Sequence, residues 1–547
     1  MSAVDPVTLE VVRNGLLAVA EEMTATLVRT AHSPNVTERR DCSCAVFDAE
    51  ARMVAQAETI PVHLGAMPFS VRAACEAFGP DDLEPGDAVL LNDPYAGGAH
   101  LPDLTLVAPV FDGGDVVAYV ANRAHHADVG GASAGSVSAT ATDIYQEGVR
   151  IPPVKLRRGG EYDQGVLDVL LANVRTPDER RGDLRAQVAA VETGRERTLE
   201  LLERHSRDRF VDALAAVQDY SERRMRAAVA DLPDGTWAFA DALEDDGQGA
   251  TDLAIEAAVT VDGDSVTVDF EGSAAQTAGP VNAPLAVTTS ATYFTLRAVT
   301  DPDIPPNHGC YRPVTVAAPS GTVVNAAPPA AVVGGNLETS QRVVDAVLGA
   351  LAEAVPERVP AAGQGTMNNL TLGGTDPRDG EPWAFYETHG GGAGGRAGAD
   401  GMDGVHVHMS NTQNTPVEVL ETAYPLRVCR YGLRPGSGGD GEYRGGLGLR
   451  RDVAVRAPAT ASVLAERQRT GPYGLRGGAA GEPGAAALFP DGDESAAEPL
   501  AAKTTLELGT GDVVSLRTPG GGGYGDPADR DSELRERDRR LEKADRE

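Results

Sequence analysis

The chain has 547 residues and a formal net charge of −33, from 81 acidic against 48 basic side chains. That length exceeds the roughly 250–300 residues at which single cores stop growing, so more than one packed region is expected. The charge repels nucleic-acid phosphates and anionic membrane surfaces, and both are excluded as partners.

Lysine occurs only as Lys155, Lys503 and Lys543, so the cations are nearly all arginines. An acidic, lysine-poor surface that holds water and cations suits a high-salt cytoplasm, as in a halophile, and bears on solubility rather than function. Five cysteines (Cys42, Cys44, Cys75, Cys310, Cys429) form no disulfide framework, and Cys42 and Cys44 lack the second pair that a thiolate metal site needs. A reducing compartment follows. No run approaches the ~18 apolar residues of a membrane span, and "MSAVDPVTLEVV" has neither a basic nor an apolar leader segment. A soluble, cytoplasmic protein is expected.

Asp5 and Pro6 start an amphipathic helix with Leu9, Val12, Leu16, Ala20, Met23 and Leu27 on one stripe. From Cys42 to Leu91 the pattern shortens to strand-like pieces such as "CAVFD" and "DAVLL", and "TLVAPVFDGGDVVAYVANRAHH" reads as two strands joined by Asp-Gly-Gly. Helical periodicity covers Val166 to Ala228 and stops before "DLPDGTW". A hairpin around Asp262-Gly263 and a helix at "NLETSQRVVDAVLGALAEAV" follow. The fold class expected is mixed α/β (α+β), β-rich, with an N-terminal region 1–230, a middle region 231–360, a glycine-rich β region 361–529 and a charged tail 530–547. The tail has almost no apolar stripe and is expected to be solvated.

In the glycine-dense third, His, Tyr, Arg and Pro are interleaved with "THGGGAGG", "RPGSGGDGEYRGGLG" and "TPGGGGYGDP". A flexible linker lacks such residues, so ordered loops are expected. These loops have neither the GxxxxGK[ST] pattern nor a strand-to-helix dinucleotide fingerprint, which excludes a nucleotide site built from them.

Ten histidines occur in the chain, and three fall within "NDPYAGGAHLPDLTLVAP" and "NRAHHADVGG" beside Asp93, Asp103 and Asp128. In a turn, the HxxD spacing brings His100 and Asp103 to one centre, and a second imidazole from His125 or His126 across the hairpin completes an N/O ligand set suited to Mn, Zn or Fe(II). Only one of those two neighbours points inward on a strand. His63, in the apolar setting "IPVHLGAM", is a core histidine or a substrate contact, and Asp93 is a second candidate substrate contact. His406 and His408 alternate along an apparent strand, where they are either two ligands or an ordinary face.

"ERRDCSCAVFD", "NDPYAGGAHLPD", "NRAHHADVGG", "DGVHVHMSNTQNTPVEVLE", "RYGLRPGSGGDGEYRGGLGLRR" and "TPGGGGYGDP" occur in that order between about Pro6 and Pro527. Together they resemble the hydantoinase B/oxoprolinase family, close to its N-methylhydantoinase members and related to the α subunit of acetone carboxylase. The resemblance implies a divalent metal on Glu38, His100, Asp103 and His125. It also implies a hydantoinase A-type partner that binds ATP, and a small cyclic amide substrate.

The implied reaction is ring opening of a hydantoin or 5-oxoproline activated by ATP on the partner, with the metal assisting water attack; proximity in the chain, not the resemblance, makes His126 or Asp128 the expected proton shuttle. A carboxylase of the acetone carboxylase type, a non-catalytic scaffold for the A-type partner and a stand-alone metal hydrolase are the other readings.

Overall fold

Asp5 accepts hydrogen bonds from the Val7 and Thr8 N–H groups and Pro6 opens the first turn, so helix α1 (Pro6–Thr30) starts where its cap dictates. Val12, Leu16, Val19, Ala20, Met23 and Leu27 are buried along it, while Leu9 lies at the edge of the stripe. The structure, a computed structural model, describes residues 4–57 and 59–543, with Leu64 as backbone only.

After α2 (Pro34–Thr37) come β1 (Cys42–Asp48), β2 (Met53–Gln56), α3 (Pro61–Ala77), β3 (Ala88–Leu91), β4 (Asp103–Asp112), β5 (Asp115–His125), β6 (Val154–Arg158) and β7 (Glu161–Tyr162). The strands form an antiparallel sheet in the order β2-β1-β5-β4-β3-β6-β7. The hairpin expected across Asp-Gly-Gly is the β4–β5 pair, whose register sets Asp103 opposite His125. Between Cys42 and Leu91, where only strand-like pieces are expected, the 17-residue helix α3 intervenes. Buried between the first sheet and a later helix, it carries apolar residues on several faces and so lacks the one-sided stripe that periodicity detects.

Helices α4 (Gln164–Leu171), α5 (Pro177–Glu203) and α6 (Arg207–Ala230) fill the expected helical stretch, with α5 packed on α1. Next are β8 (Gly235–Asp245), β9 (Thr251–Asp262), β10 (Ser265–Asp269), α7 (Leu285–Val299), α8 (His308–Tyr311), β11 (Val314–Ala317) and α9 (Ser340–Ala354). The second sheet runs β11-β10-β9-β8, and α7 and α9 cover it while α3 packs on α7. One apolar cluster from Ala45 to Leu464 joins the two sheets. A single wide turn with i→i+5 character, Gly335–Thr339, precedes α9.

The remainder holds β12 (Asn369–Thr375), β13 (Pro382–Glu387), α10 (Val417–Ala423), β14 (Leu426–Leu433), β15 (Leu449–Val455), β16 (Ala459–Leu464), β17 (Ala485–Phe489), β18 (Glu498–Leu500), β19 (Lys503–Leu508) and β20 (Val513–Arg517). They make two sheets, β13-β12-β16-β19 and β14-β15-β20-β17-β18. The architecture is mixed α/β, as expected. Among the described residues no helix is long and apolar enough to cross a membrane.

The glycine-rich segments are ordered and pack backbone against backbone. Gly395 donates to the Gly522 carbonyl (2.8 Å), Gly446 to Ala393 (2.7 Å) and Gly521 to Gly446 (2.9 Å), so neighbouring segments satisfy one another's peptide groups. A Cβ at Gly521 would stand 2.0 Å from the Ala393 carbonyl oxygen. The tail is largely exposed, as expected, but it is helical and tied down. Arg530 pairs with Asp400 (2.7 Å) and Asp538 (2.6 Å), holding α11 (Ser532–Arg540) against the glycine-rich loops by charge rather than by an apolar stripe.

Gly521→Ala should lower stability by about 1–3 kcal/mol, because backbone atoms must move to admit the methyl group. Gly432→Ala, with nothing within 4 Å of its Cβ position, should stay within about 0.5 kcal/mol of the parent. Thermal or urea unfolding of the two variants checks the contrast.

Candidate metal centre

Asp103 opens β4 and His125 closes β5, and antiparallel pairing makes them direct neighbours across the hairpin. His100 lies one turn before Asp103, in a reversal closed by the Asp103 N–H on the His100 carbonyl at 3.1 Å. His63 comes from the first turn of α3. Three elements thus deliver imidazoles to one carboxylate. Asp103 Oδ2 is 3.1 Å from His100 Nδ1 and 3.3 Å from His63 Nε2, and Oδ1 is 3.3 Å from His125 Nδ1.

All four side chains are buried, yet both Asp103 oxygens, both His100 ring nitrogens and His125 Nε2 lack a hydrogen-bond partner of good geometry. Buried polar atoms are normally satisfied, so five convergent orphans need a ligand to complete them. One carboxylate oxygen and one nitrogen from each of His100 and His125 lie within 4.8 Å of one another, a donor set that fits a divalent cation of the Mn, Zn or Fe class. His63 abuts Asp103 but is held on its other ring nitrogen by Ser43 Oγ at 2.9 Å, and Ser43 in turn contacts Thr59 Oγ1 at 2.7 Å.

Burial alone would raise the Asp103 carboxyl, but the neighbouring His100 and His63 imidazoles hold it well below the usual carboxylate range. Burial pushes His125 down, which keeps its imidazole neutral and available as a ligand. Its ring stacks on Tyr386 of β13 (4.6 Å between centroids, 18° between planes), and the Tyr386 hydroxyl donates to Asn369 Oδ1 at 3.2 Å. Arg39 also lies over the Tyr386 ring (4.9 Å to its centroid) and donates to the Tyr386 carbonyl (2.9 Å) and to Thr388 Oγ1 (2.8 Å). Around the cluster is a small cavity of ≈ 20 Å³, lined also by Asp41, Asn336, Met409 and Ser410. That volume admits roughly one water or ion.

The other sequence candidates lie elsewhere. His126, one residue past His125 and so on the opposite face, meets Gln187 of α5 at 2.9 Å, and burial with nearby Arg180 pushes it down to about 4. Asp128 is fully engaged by the Gly130, Gly135 and Arg175 N–H groups and the Arg175 guanidinium, as a clamp on its loop. Asp93 caps the turn at Tyr95 and faces Arg150 at 3.6 Å. Glu38 caps the C-terminus of α2, outside the cluster of three ligands, and the carboxylate of "TERRD" that lines the cavity is Asp41. His406 and His408 sit on a turn rather than a strand. There His406 contacts Ser410 (2.9 Å) and His408 contacts Asp345 (3.1 Å).

Sequence reasoning missed Asp41, Asn336 and Tyr386, which reach the cavity from three distant segments. Asn336 alone carries a local sign, since it lies on the wide turn Gly335–Thr339, a feature frequent at functional sites. Its Oδ1 is buried without a partner.

A family model described as Hydantoinase B/oxoprolinase matches residues 5–527. The chain is 42% identical to Methanocaldococcus jannaschii protein MJ0963, over 97% of this chain and 92% of that one. It is 37% identical to Arabidopsis thaliana 5-oxoprolinase 1 over 95% of its own length, but spans only 42% of that protein. The ATP-dependent caprolactamase of Pseudomonas jessenii superposes with a TM-score of 0.92 at 33% identity, over 99% of this chain and 95% of that one. A nucleotide-free acetone carboxylase shares the fold at 20% identity, with a TM-score of 0.89 over 99% of this chain and 78% of that one. From the motif order, the extent of the match and the shared fold, the chain belongs to the hydantoinase B/oxoprolinase family.

Proposed function

We propose that this chain is the hydrolytic component of an ATP-dependent cyclic amidase, opening a small lactam or hydantoin ring at a metal held by His100, Asp103 and His125. The observation that carries the reading is the set of buried, unpartnered N and O atoms converging on one small cavity. The likeness to an ATP-dependent caprolactamase and to a 5-oxoprolinase supports the substrate class. ATP is used outside this chain, on an A-type partner or on the further part of a longer protein; the chain's 42% share of 5-oxoprolinase 1 supports that division.

When bound, a divalent cation at this position would lower the pKa of a water and polarise an amide carbonyl. The protein does the rest by positioning. Asp103 stays ionised beside its imidazoles and anchors the site's charge. Tyr386 and Arg39 fix the plane of His125 from behind. Ser43 fixes the orientation of the His63 ring, whose Nε2 faces Asp103 and can hold a proton at the edge of the cavity. Asp41 and the unpartnered Oδ1 of Asn336 offer acceptors for a water proton. The apolar walls of Leu337, Met367 and Met409 keep bulk water out. His126 and Asp128 face away and have no place in this scheme.

Elemental analysis of the purified chain in molar salt should find about one Mn, Zn or Fe per molecule, lost in His100→Ala/Asp103→Ala. A metal-free parent protein, of normal near-UV circular dichroism, would return the chemistry to the partner and leave this chain a scaffold. Tyr386→Ala should weaken metal retention or turnover by about 10–100-fold, as loss of a group orienting a ligand does, whereas Tyr386→Phe should keep most of both. Asp128→Asn should leave metal content unchanged while lowering the unfolding temperature, because its carboxylate only ties the Gly130–Gly135 loop to Arg175.

A further inference from the structure

A cavity of ≈ 20 Å³ cannot contain a lactam ring, whereas ligand sites measure about 300–1,000 Å³. Every residue that lines it is buried, so a ring reaches the cluster only when a wall moves. Exposure shows which wall is thinnest. Thr412 (7%), Ser410 and Asp41 (6% each) are the lining residues nearest solvent, and the residues that alternate with Ser410 and Thr412, namely Asn411 and Gln413, are exposed. Along residues 410–415 a single thickness of chain, outside any helix or strand, therefore stands between the cavity and water.

This strap is lightly held. Among the described residues, of the N–H groups of Asn411, Thr412, Gln413 and Asn414 only that of Gln413 has an acceptor, the Arg39 carbonyl at 3.0 Å. Segments with so few backbone hydrogen bonds open at low cost. Two side chains act as latches instead: Asn411 Nδ2 donates to the Thr59 carbonyl (2.9 Å), just before α3, and Asn414 Nδ2 to the Thr388 carbonyl (2.9 Å), just after β13. Both ends of the strap are fixed. At one, His408 takes left-handed backbone (φ 54°) and its Nε2 meets Asp345 of α9 at 3.1 Å; at the other, Pro416 leads into α10. A non-glycine residue keeps that conformation only where the surroundings impose it, and such positions cluster at clamps and switches. The facing rim, the start of α3, is clamped to α7: the Gly65 N–H donates to Ser290 Oγ (2.9 Å), which donates to the Pro61 carbonyl (3.0 Å).

We propose that residues 410–415 are a lid over the buried cluster, which swings between His408 and Pro416 when the Asn411 and Asn414 latches release and so admits a molecule the size of a cyclic amide. What the lid admits rests on the reading of the cluster as a hydrolytic centre. Its opening does not.

Diethyl pyrocarbonate, a histidine reagent far larger than the cavity, tests this on the full chain after EDTA treatment, with the modification of each histidine followed by peptide mass spectrometry. His100 and His125 should react slowly in the parent protein, and about fivefold faster in Asn411→Ala and in Asn414→Ala, as the loss of one hydrogen bond implies. Ser290→Ala, which loosens the start of α3 and leaves the strap untouched, should keep the parent rate. His126, buried against Gln187 of α5, should stay protected in every variant. Rapid modification of His100 in the parent, a rate unchanged in both latch variants, an equal rise at His126, or acceleration in Ser290→Ala as large as in the latch variants would each overturn the lid. The two readings fail separately: a protein that carries no metal as purified refutes the hydrolytic centre, while the modification rates, taken on metal-free protein, decide the lid.

Discussion

Asp103 is an ionised carboxylate buried to 1% exposure, and the architecture of the N-terminal half follows from what it takes to keep it so. An isolated buried charge costs several kcal/mol, which must be offset by opposite charge and aligned polar groups. Here the offset is supplied by imidazoles from a turn, a strand end and a helix start, with the buried Arg123 guanidinium also acting on Asp103 from two residues before His125. The β4–β5 register makes this possible, because a slip of one residue would turn His125 to the α5 side and His126 inward. The apolar face of the sheet against α1 and α5 fixes that register, so packing far from the site decides which histidine serves it.

The glycine-rich third completes the same site from the other side. β13 presents Tyr386 to His125, and the chain then enters the glycine segments, where Gly391 bridges Val405 and so holds the turn that brings Met409, Ser410 and Thr412 to the cavity wall. Segments this close can pass only without side chains. Their peptide groups replace an apolar core with a mesh of hydrogen bonds. Rigidity at the cavity therefore comes from the backbone, and glycine here is a packing residue.

The arginine bias has a structural counterpart. Arg39, Arg123, Arg180, Arg342 and Arg451 are among the largest fully buried side chains, and each meets at least one acceptor with its always-charged guanidinium. Arg342 meets Glu466, which also holds Lys503 (2.6 Å), tying α9 to β16 and β19 across the middle and last thirds.

Local rules were enough for the elements whose signals are local. The α1 cap and stripe, the β4–β5 hairpin, the β9–β10 hairpin, the mixed α/β class and the closeness of His100 to Asp103 could all be read from the chain, because caps, turns and two-residue alternation act over a few residues. Helix α3 escaped because a helix buried on several faces has no one-sided period, and α11 because ion pairs with Asp400 and Asp403, rather than apolar burial, hold the tail. The sequence offered His125 and His126 as equals; the strand's contact with α5 chose between them. It could not place Asp41, Asn336 and Tyr386 around one carboxylate, since their proximity depends on sheet-to-sheet packing across some 300 residues of chain. Composition and short-range pattern thus determined which side chains were available for chemistry, and long-range burial alone decided which of them face one another.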